Sequence, residues 1–241
     1  MIPSLSTSLR KYIAEFIGTF TLVFIAAGSN AVDHISHGIL GLTGMAIATG
    51  VTVMVMIYAI GHISGAHINP AVTIAMSVTG KMGTRDSFAY IISQVAGACA
   101  ASFMLMEMFP SAVGSVHLGA TSLGTNISPA AGMVIEAILT FLLVFTIFGV
   151  AVDSRSPPGL AGFTIGAFVL LAILIGGPVT GASMNPARSF GPALMAGYWT
   201  DHLVYWIGPI IGGIVAALVY DNVFISDAVV EERGDAVGDG V

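Results

Sequence analysis

The chain has 241 residues, 56% of them hydrophobic and only 8% charged, and it carries a net charge of −6. So few charges cannot cover the surface of a water-soluble globule of this length, which excludes that class and points to a membrane protein. The seven basic residues form no cluster that would track nucleic acid, and the single cysteine, Cys99 inside an apolar run, excludes an internal disulfide framework.

A bilayer core about 30 Å thick takes about 20 apolar residues per helix. The first such stretch is 12–32, preceded by Arg10 and Lys11 and carrying Glu15 near its start. It lacks a convincing cleavage site, so it reads as a span and not a leader. A polar break at 33–37 separates it from a second span at 40–60. There small residues recur four apart, at Gly44 and Ala48 and at Ala46 and Gly50, which lets helices approach closely in lipid. A loop at 61–66 leads to a helix at 70–79, whose ten or so residues reach roughly 15 Å, half a bilayer. After a polar turn at 81–86 comes a third span, 88–108. The Gly-, Ser- and Thr-rich stretch 109–128 reads as an external loop. The fourth span, 130–152, has Glu136 near its start, and a Pro- and Gly-rich breaker at 153–159 ends it. The fifth span, 160–175, carries Gly162 and Gly166. A second loop at 176–183 and a second short helix at 186–194 follow, then a sixth span at 203–224 with Gly208 and Gly212. The acidic, Gly-rich residues 226–241 read as a disordered tail outside the membrane.

The two loops carry the strongest signal. Residues 63–73 read I-S-G-A-H-I-N-P-A-V-T, and residues 179–189 read V-T-G-A-S-M-N-P-A-R-S. Asn69 and Asn185 lie 116 residues apart, the spacing of an internal duplication. Asn before Pro is a helix start: Asn caps, and the missing N–H of Pro70 or Pro186 costs nothing in the first turn. Each copy is therefore a tight loop tipping into a half helix. Three spans per copy is an odd number, so the copies lie in opposite orientations. The fold class predicted is an all-α polytopic membrane protein, six transmembrane helices plus two re-entrant half helices in an inverted repeat. One channel domain covers 1–225, with repeats at about 10–108 and 129–225. With both termini in the cytoplasm and the protein in the cell membrane, six of the seven basic residues fall on the cytoplasmic side. Arg188 is the exception. It stands where the first copy has Val72, and an arginine at membrane depth marks a functional site.

A pore through a dry bundle needs donors and acceptors in place of lost water contacts. Backbone in 61–67 and 176–183 would supply carbonyls, with Gly65, Ala66, His67, Gly181 and Ser183 lining the path. Both half helices aim their positive dipole ends at the centre, which repels cations. Glu15 and Glu136 admit a proton-relay reading, but buried loops need acceptors for their N–H groups, and bracing is the role assigned to both. Gln94 is a third brace. His62 and His67 lie on opposite sides of a turn with no coordinating partner, so no metal or other cofactor is assigned. His34, His37 and His117 sit in loops where pH gating is the alternative to a bland role. No Ser-His pair or carboxylate pair at matching depth suggests an enzyme.

At Ser64–Ala71 and Gly181–Arg188 the sequence resembles the aquaporin family, the major intrinsic proteins, and the likeness covers nearly the whole chain. The resemblance implies an aquaporin-like fold in which the two half helices stack end to end and line one pore per subunit, with four subunits assembled. It places Asn69, Pro70, Ala71, Asn185, Pro186 and Ala187 at the pore centre. Counting outward from the motifs, the family's selectivity ring falls on Thr49, Ile173, Ala182 and Arg188. Strict water channels carry an aromatic residue and a histidine where this chain has Thr49 and Ile173, so the ring reads as wider and less polar. Phe163 or Phe168 leaning in would refill it. Around the ring the chain is similar to plant nodulin-like and some microbial members, whereas Ser189, Tyr205 and Trp206 resemble water channels. The expectation is a passive channel for water and small uncharged solutes (glycerol, urea, ammonia or metalloid acids) that excludes protons and ions. Its partners are then the solutes, membrane lipid and three further copies, with no nucleic acid. The alternatives are a strict water channel and an ion- or proton-coupled secondary transporter.

Overall fold

A computed structural model of the protein describes residues 6–225; the reading of 226–241 as a tail lies outside them. Among the described residues six helices are long and apolar enough to cross a membrane. They are α1 (Thr7–Ile35), α2 (Gly41–Ser64), α4 (Thr84–Met108), α6 (Pro129–Ile147), α7 (Ala161–Thr180) and α9 (Val204–Val219), with α6 and α9 continued to Val152 and Ile225 by their last turns. Two half helices, α3 (Pro70–Val78) and α8 (Pro186–Ala196), follow α2 and α7. A short α5 (Pro110–Val116) and a 3-10 turn at His117–Gly119 lie between α4 and α6. Both α6 and α9 end in a π turn, Phe148–Val152 and Tyr220–Ile225.

Local chemistry sets the helix ends. Ser6 Oγ accepts the Leu9 N–H at 3.3 Å and Ser128 Oγ that of Ala131 at 3.2 Å, while Pro70, Pro129 and Pro186 occupy first helical positions. The break expected at Asp33 does not stop α1. The Asp33 side chain instead accepts the Leu40 and Gly41 N–H groups, at 2.9 and 2.8 Å, and so caps α2 from outside. The loops expected at 61–66 and 176–183 are shorter than the sequence suggests. α2 runs to Ser64 and α7 to Thr180, straight through Pro178. What stops them is a left-handed glycine, Gly65 at φ 87° and Gly181 at φ 83°, whose N–H groups bond back to Gly61 and Gly177. Residues 61–64 and 176–180 therefore belong to helices, and non-helical backbone is confined to 65–69 and 181–185.

Helix crossings are made by small residues. A Cβ on Gly50 would sit 2.6 Å from the Gly166 carbonyl oxygen, and one on Gly166 would sit 2.5 Å from that of Gly50. This reciprocal contact between α2 and α7 puts a pseudo-two-fold axis between the repeats. α1 packs on α4 as α6 packs on α9. There Gly97 meets the Phe16 backbone and Gly212 the Ala137 backbone. Lipid offers no hydrophobic drive between helices, so backbone approach of this kind has to supply the contact. Large apolar side chains such as Phe88, Ile175 and Leu203 face outward.

The loops after α3 and α6 are fastened by charge. Asp153 accepts from the Arg155 backbone and guanidinium, which hold its carboxyl well below the usual carboxylate range. Arg155 also donates to the Phe224 carbonyl at 2.8 Å, and Lys81 pairs with Asp221 at 2.7 Å. Both loops are thereby tied to the turn at Tyr220–Ile225.

Candidate functional site

The half helices meet at their N-termini. Asn69 Oδ1 caps α3 by accepting the Ala71 N–H at 2.9 Å, and its Nδ2 donates to the Met184 carbonyl at 2.7 Å. Asn185 Oδ1 accepts the N–H groups of Ala187 and Arg188, and its Nδ2 donates to the Ile68 carbonyl at 2.8 Å. Each amide thus caps its own helix and cross-links to the other repeat's loop. Each Nδ2 carries two hydrogens, so the cross-link uses one, and both side chains line the same cavity. Pro70, Ala71, Pro186 and Ala187 are buried behind the cavity and do not line it.

The approach strands have unusual backbone. Gly65, Ala66 and Ile68 in one, and Gly181, Ala182 and Met184 in the other, all have positive φ. For the residues bearing a Cβ this costs about 1–3 kcal/mol each, and it persists only where surroundings enforce it. The enforcing partners are two buried glutamates. Glu15 accepts from Ser64 Oγ and the His67 N–H on one oxygen, and from the Ile68 N–H and Gln94 Nε2 on the other, at 2.7–3.0 Å. Glu136 accepts from Thr180 Oγ1, the Ser183 N–H and the Met184 N–H, at 2.7–2.9 Å. Tyr90 donates to the Ser64 carbonyl and Tyr205 to that of Thr180. The N–H groups of His67 and Ser183 go to the glutamates, those of Ala66 and Ala182 to the Ser64 and Thr180 hydroxyls, and those of Gly65 and Gly181 back to their helices, while the carbonyls of 65–67 and 181–183 have no protein donor among the described residues. All six residues lie on the cavity wall.

That cavity holds about 400 Å³ and passes between both motifs. Thr49, Ile173, Ala182 and Arg188 all line it, as do Gly65, Ala66, His67, Gly181 and Ser183. Thr49 Oγ1 donates within its own helix to the Met45 carbonyl at 2.9 Å. Arg188 donates from Nη1 to the Gly119 carbonyl at 2.9 Å. No Phe, Tyr or Trp is on the wall among the described residues. Phe163 is 58% exposed on the outer face of α7, and Phe168 packs into the apolar core, so neither refills the ring. Val72, the counterpart of Arg188, lines the cavity near Met76, Leu143 and Ile147, which makes that half apolar.

Other candidates fall to one side. His67 lines the cavity with its Nδ1 at 3.1 Å from Thr73 Oγ1 and its ring edge-on to Tyr90. His62 is exposed, and no group of His, Cys, Asp and Glu suited to a metal occurs among the described residues. Neither Ser189, Tyr205 nor Trp206 lines the cavity. The Ser189 hydroxyl bonds Ser183 Oγ and Thr121 Oγ1, at 2.6 and 2.7 Å. Trp206 donates to His202 Nε2 at 3.1 Å, in a cluster of rings whose burial lowers the imidazole's basicity.

Sequence reasoning missed the contribution of 109–128. That stretch turns inward, and Gly119, Ala120, Thr121 and Ser122 form part of the cavity wall. The Gly124 N–H bonds the Val179 carbonyl at 2.8 Å. Its composition signals a loop and says nothing of where the loop lies.

Known proteins match this arrangement. The family profile described as Major intrinsic protein matches residues 3–220. Aquaporin NIP1-1 of Zea mays is 45% identical over 88% of this chain and 74% of its own length. Aquaporin TIP4-4 of the same plant is 42% identical over 90% of this chain and 88% of its own. Among solved structures, the aquaglyceroporin from Plasmodium falciparum superposes with a TM-score of 0.80 at 25% identity, covering 90% of this chain and 96% of that one. With two capped half helices meeting inside a six-helix inverted repeat, and these matches over nearly the whole sequence, the chain belongs to the major intrinsic protein family and is a membrane channel of the aquaporin and aquaglyceroporin kind, not an enzyme.

Proposed function

We propose that the protein is a passive pore for water that also admits small uncharged solutes, glycerol and urea among them, and excludes protons and ions. The observation that carries the reading is the ring. Thr49, Ile173 and Ala182 leave Arg188 as its only large polar side chain, and no aromatic ring stands on the wall. A solute larger than water sheds hydration at such a point and needs both space and an apolar wall beside a donor. Ile173 and Arg188 meet that need. The features that lean toward a strict water channel, Ser189, Tyr205 and Trp206, lie off the cavity, and Ser189 spends its hydroxyl on loop contacts. The similarity to an aquaglyceroporin structure points the same way.

Ion exclusion rests on the two half-helix dipoles, the two Asn amides and Arg188, all positive toward the path. Coupled transport would need an ionisable group that changes state on the path. Glu15 and Glu136 are wholly buried away from the cavity, and Arg188 and His67 are the ionisable side chains on its wall. The distribution of basic residues supports cytoplasmic termini in the cell membrane, and family membership supports a homotetramer with one pore per subunit. We assign the pore centre to Asn69 and Asn185, the ring to Thr49, Ile173, Ala182 and Arg188, and loop bracing to Glu15 and Glu136.

Proteoliposomes test the reading. Stopped-flow light scattering should show water flux, and glycerol flux under an inward glycerol gradient, independent of any ion gradient. A parallel electrical recording should be silent. Steady proton or cation current at comparable protein density overturns the passive pore. Water flux without glycerol or urea flux leaves the strict water channel.

Arg188→Val, which copies Val72 into the second repeat, should keep or raise water flux while weakening the barrier to small cations. A donor and a fixed positive charge leave the path together. Cation leak measured by a fluorescent indicator inside the vesicles checks it, and unchanged exclusion would leave the central dipoles as the whole barrier.

A further inference from the structure

The acceptor that holds Arg188 is a single backbone carbonyl, that of Gly119. It closes a turn in which three consecutive residues are left-handed: His117 at φ 48°, Leu118 at φ 52° and Gly119 at φ 70°. Residues with a Cβ keep that conformation only when their surroundings impose it. Leu118 is wholly buried beside Val23, Ala27, Leu105 and Ala187, and Gly119 lies so close to α1 that a Cβ on it would be 2.8 Å from the Ala27 carbonyl oxygen. These contacts fix the inner side of the turn. On its outer side the His117 ring stacks on Tyr198, with centroids 4.0 Å apart and planes within 10°. Tyr198 follows the last turn of α8, where its N–H bonds the Ala193 carbonyl at 3.0 Å. The helix that carries Arg188 in its first turn therefore grips, through its other end, the turn that supplies Arg188 with its acceptor. Thr121 on Ser189 fastens the same segment further along.

We propose that the His117–Tyr198 stack is a clamp that sets the open width of the pore, by holding the Gly119 carbonyl where it draws the Arg188 guanidinium to the wall. The inference rests on the reading of Arg188 as the polar member of the ring. A guanidinium has five N–H donors, of which the Gly119 carbonyl anchors one to the wall, leaving the others to the contents of the cavity. Once the Gly119 carbonyl drifts, the acceptors left on the same cavity wall include the carbonyls of 181–183, which have no protein donor among the described residues, and the molecules in the cavity. A side chain reaching for them lies in the solute path. His117 and Tyr198 touch no solute in this scheme; they are positioning residues.

The test compares ring loss with ring retention. His117→Asn removes the ring and keeps a residue that tolerates left-handed backbone. Tyr198→Ala removes the other half of the stack, and Tyr198→Phe keeps it. In proteoliposomes, His117→Asn and Tyr198→Ala should each cut water flux per channel roughly threefold, the scale of a contact-level coupling, and glycerol flux by more. Tyr198→Phe should match the native protein. The decisive arm is the Arg188→Val background, where adding His117→Asn should change neither flux, because no guanidinium is left to stray. Native fluxes in His117→Asn, or equal losses with and without Arg188, overturn the clamp. If one ring-removing variant gives no folded protein, the other carries the comparison; if neither folds, the stack is a fold support and the clamp is wrong. An Arg188→Val protein with native water, glycerol and ion behaviour would sink the ring reading and the clamp with it. A responsive Arg188→Val beside an unresponsive His117→Asn sinks the clamp alone.

Discussion

Replacing Thr49 by Phe together with Ile173 by His should nearly abolish glycerol flux while sparing much of the water flux. Both side chains line the cavity with Arg188, and neither adds a free donor to it: Thr49 donates back to Met45, and Ile173 has none to give. The double change fills the open space with an aromatic ring and sets an imidazole donor opposite the guanidinium. Water gains a partner, and a three-carbon solute loses both its room and its apolar wall. Discrimination of this kind is large, because a bulky solute that cannot fit also cannot replace the water contacts it gives up. Light scattering under a glycerol gradient and then under an impermeant osmolyte reads the two fluxes separately. Glycerol passing the double variant at the native rate would show that the ring lies elsewhere.

The second large effect is expected at the braces, and it should be unequal between the repeats. Glu136→Gln replaces an acceptor oxygen by an amide nitrogen facing donors. One of the N–H groups of Ser183 and Met184, or the Thr180 hydroxyl, is then left bare in a dry interior, at about 1–3 kcal/mol for each. The second repeat has no glutamine at the matching place: the residue four after Tyr205 is Pro209. In the first repeat the residue four after Tyr90 is Gln94, whose Oε1 is buried with no partner. In Glu15→Gln that oxygen can accept from the new amide. Glu136→Gln should therefore lower the unfolding temperature in detergent and the water flux markedly more than Glu15→Gln. Equal losses would mean that Gln94 offers no relief.

Most of the fold was legible because lipid imposes length and apolarity on every span, and six segments satisfied both. Boundaries shifted where polar residues serve a neighbour. Asp33 looked like a helix breaker and is a cap for α2, while Gly176, Gly177 and Pro178 looked like a stop that the helix passes through. The four residues proposed as the ring could be counted out from the two motifs, and all four line one cavity. What stayed hidden was the inward turn of 119–122. Its contact with Arg188 runs through a main-chain carbonyl, which any residue possesses, so no side chain advertises it. The stack of His117 on Tyr198 joins residues 81 apart in the sequence with no periodicity to connect them. Sequence spacing reveals what repeats, and these contacts occur once.

The central cross-link has a consequence for parentage and design. Asn69 to Met184 and Asn185 to Ile68 are the same bond made twice, in opposite directions. Gly50 against Gly166 is likewise its own mirror partner. Two identical half-length chains meeting face to face would make both contacts, as any isologous dimer does. Such a dimer, however, is bound to have two equal mouths: an arginine at both, or a valine at both. Once the copies are distinct each is free to drift, and an arginine on one side of the junction becomes compatible with a valine on the other. A single chain keeps the two diverged halves at equal numbers and always paired with each other, so that Arg188 on one side of the junction is never without Val72 on the other.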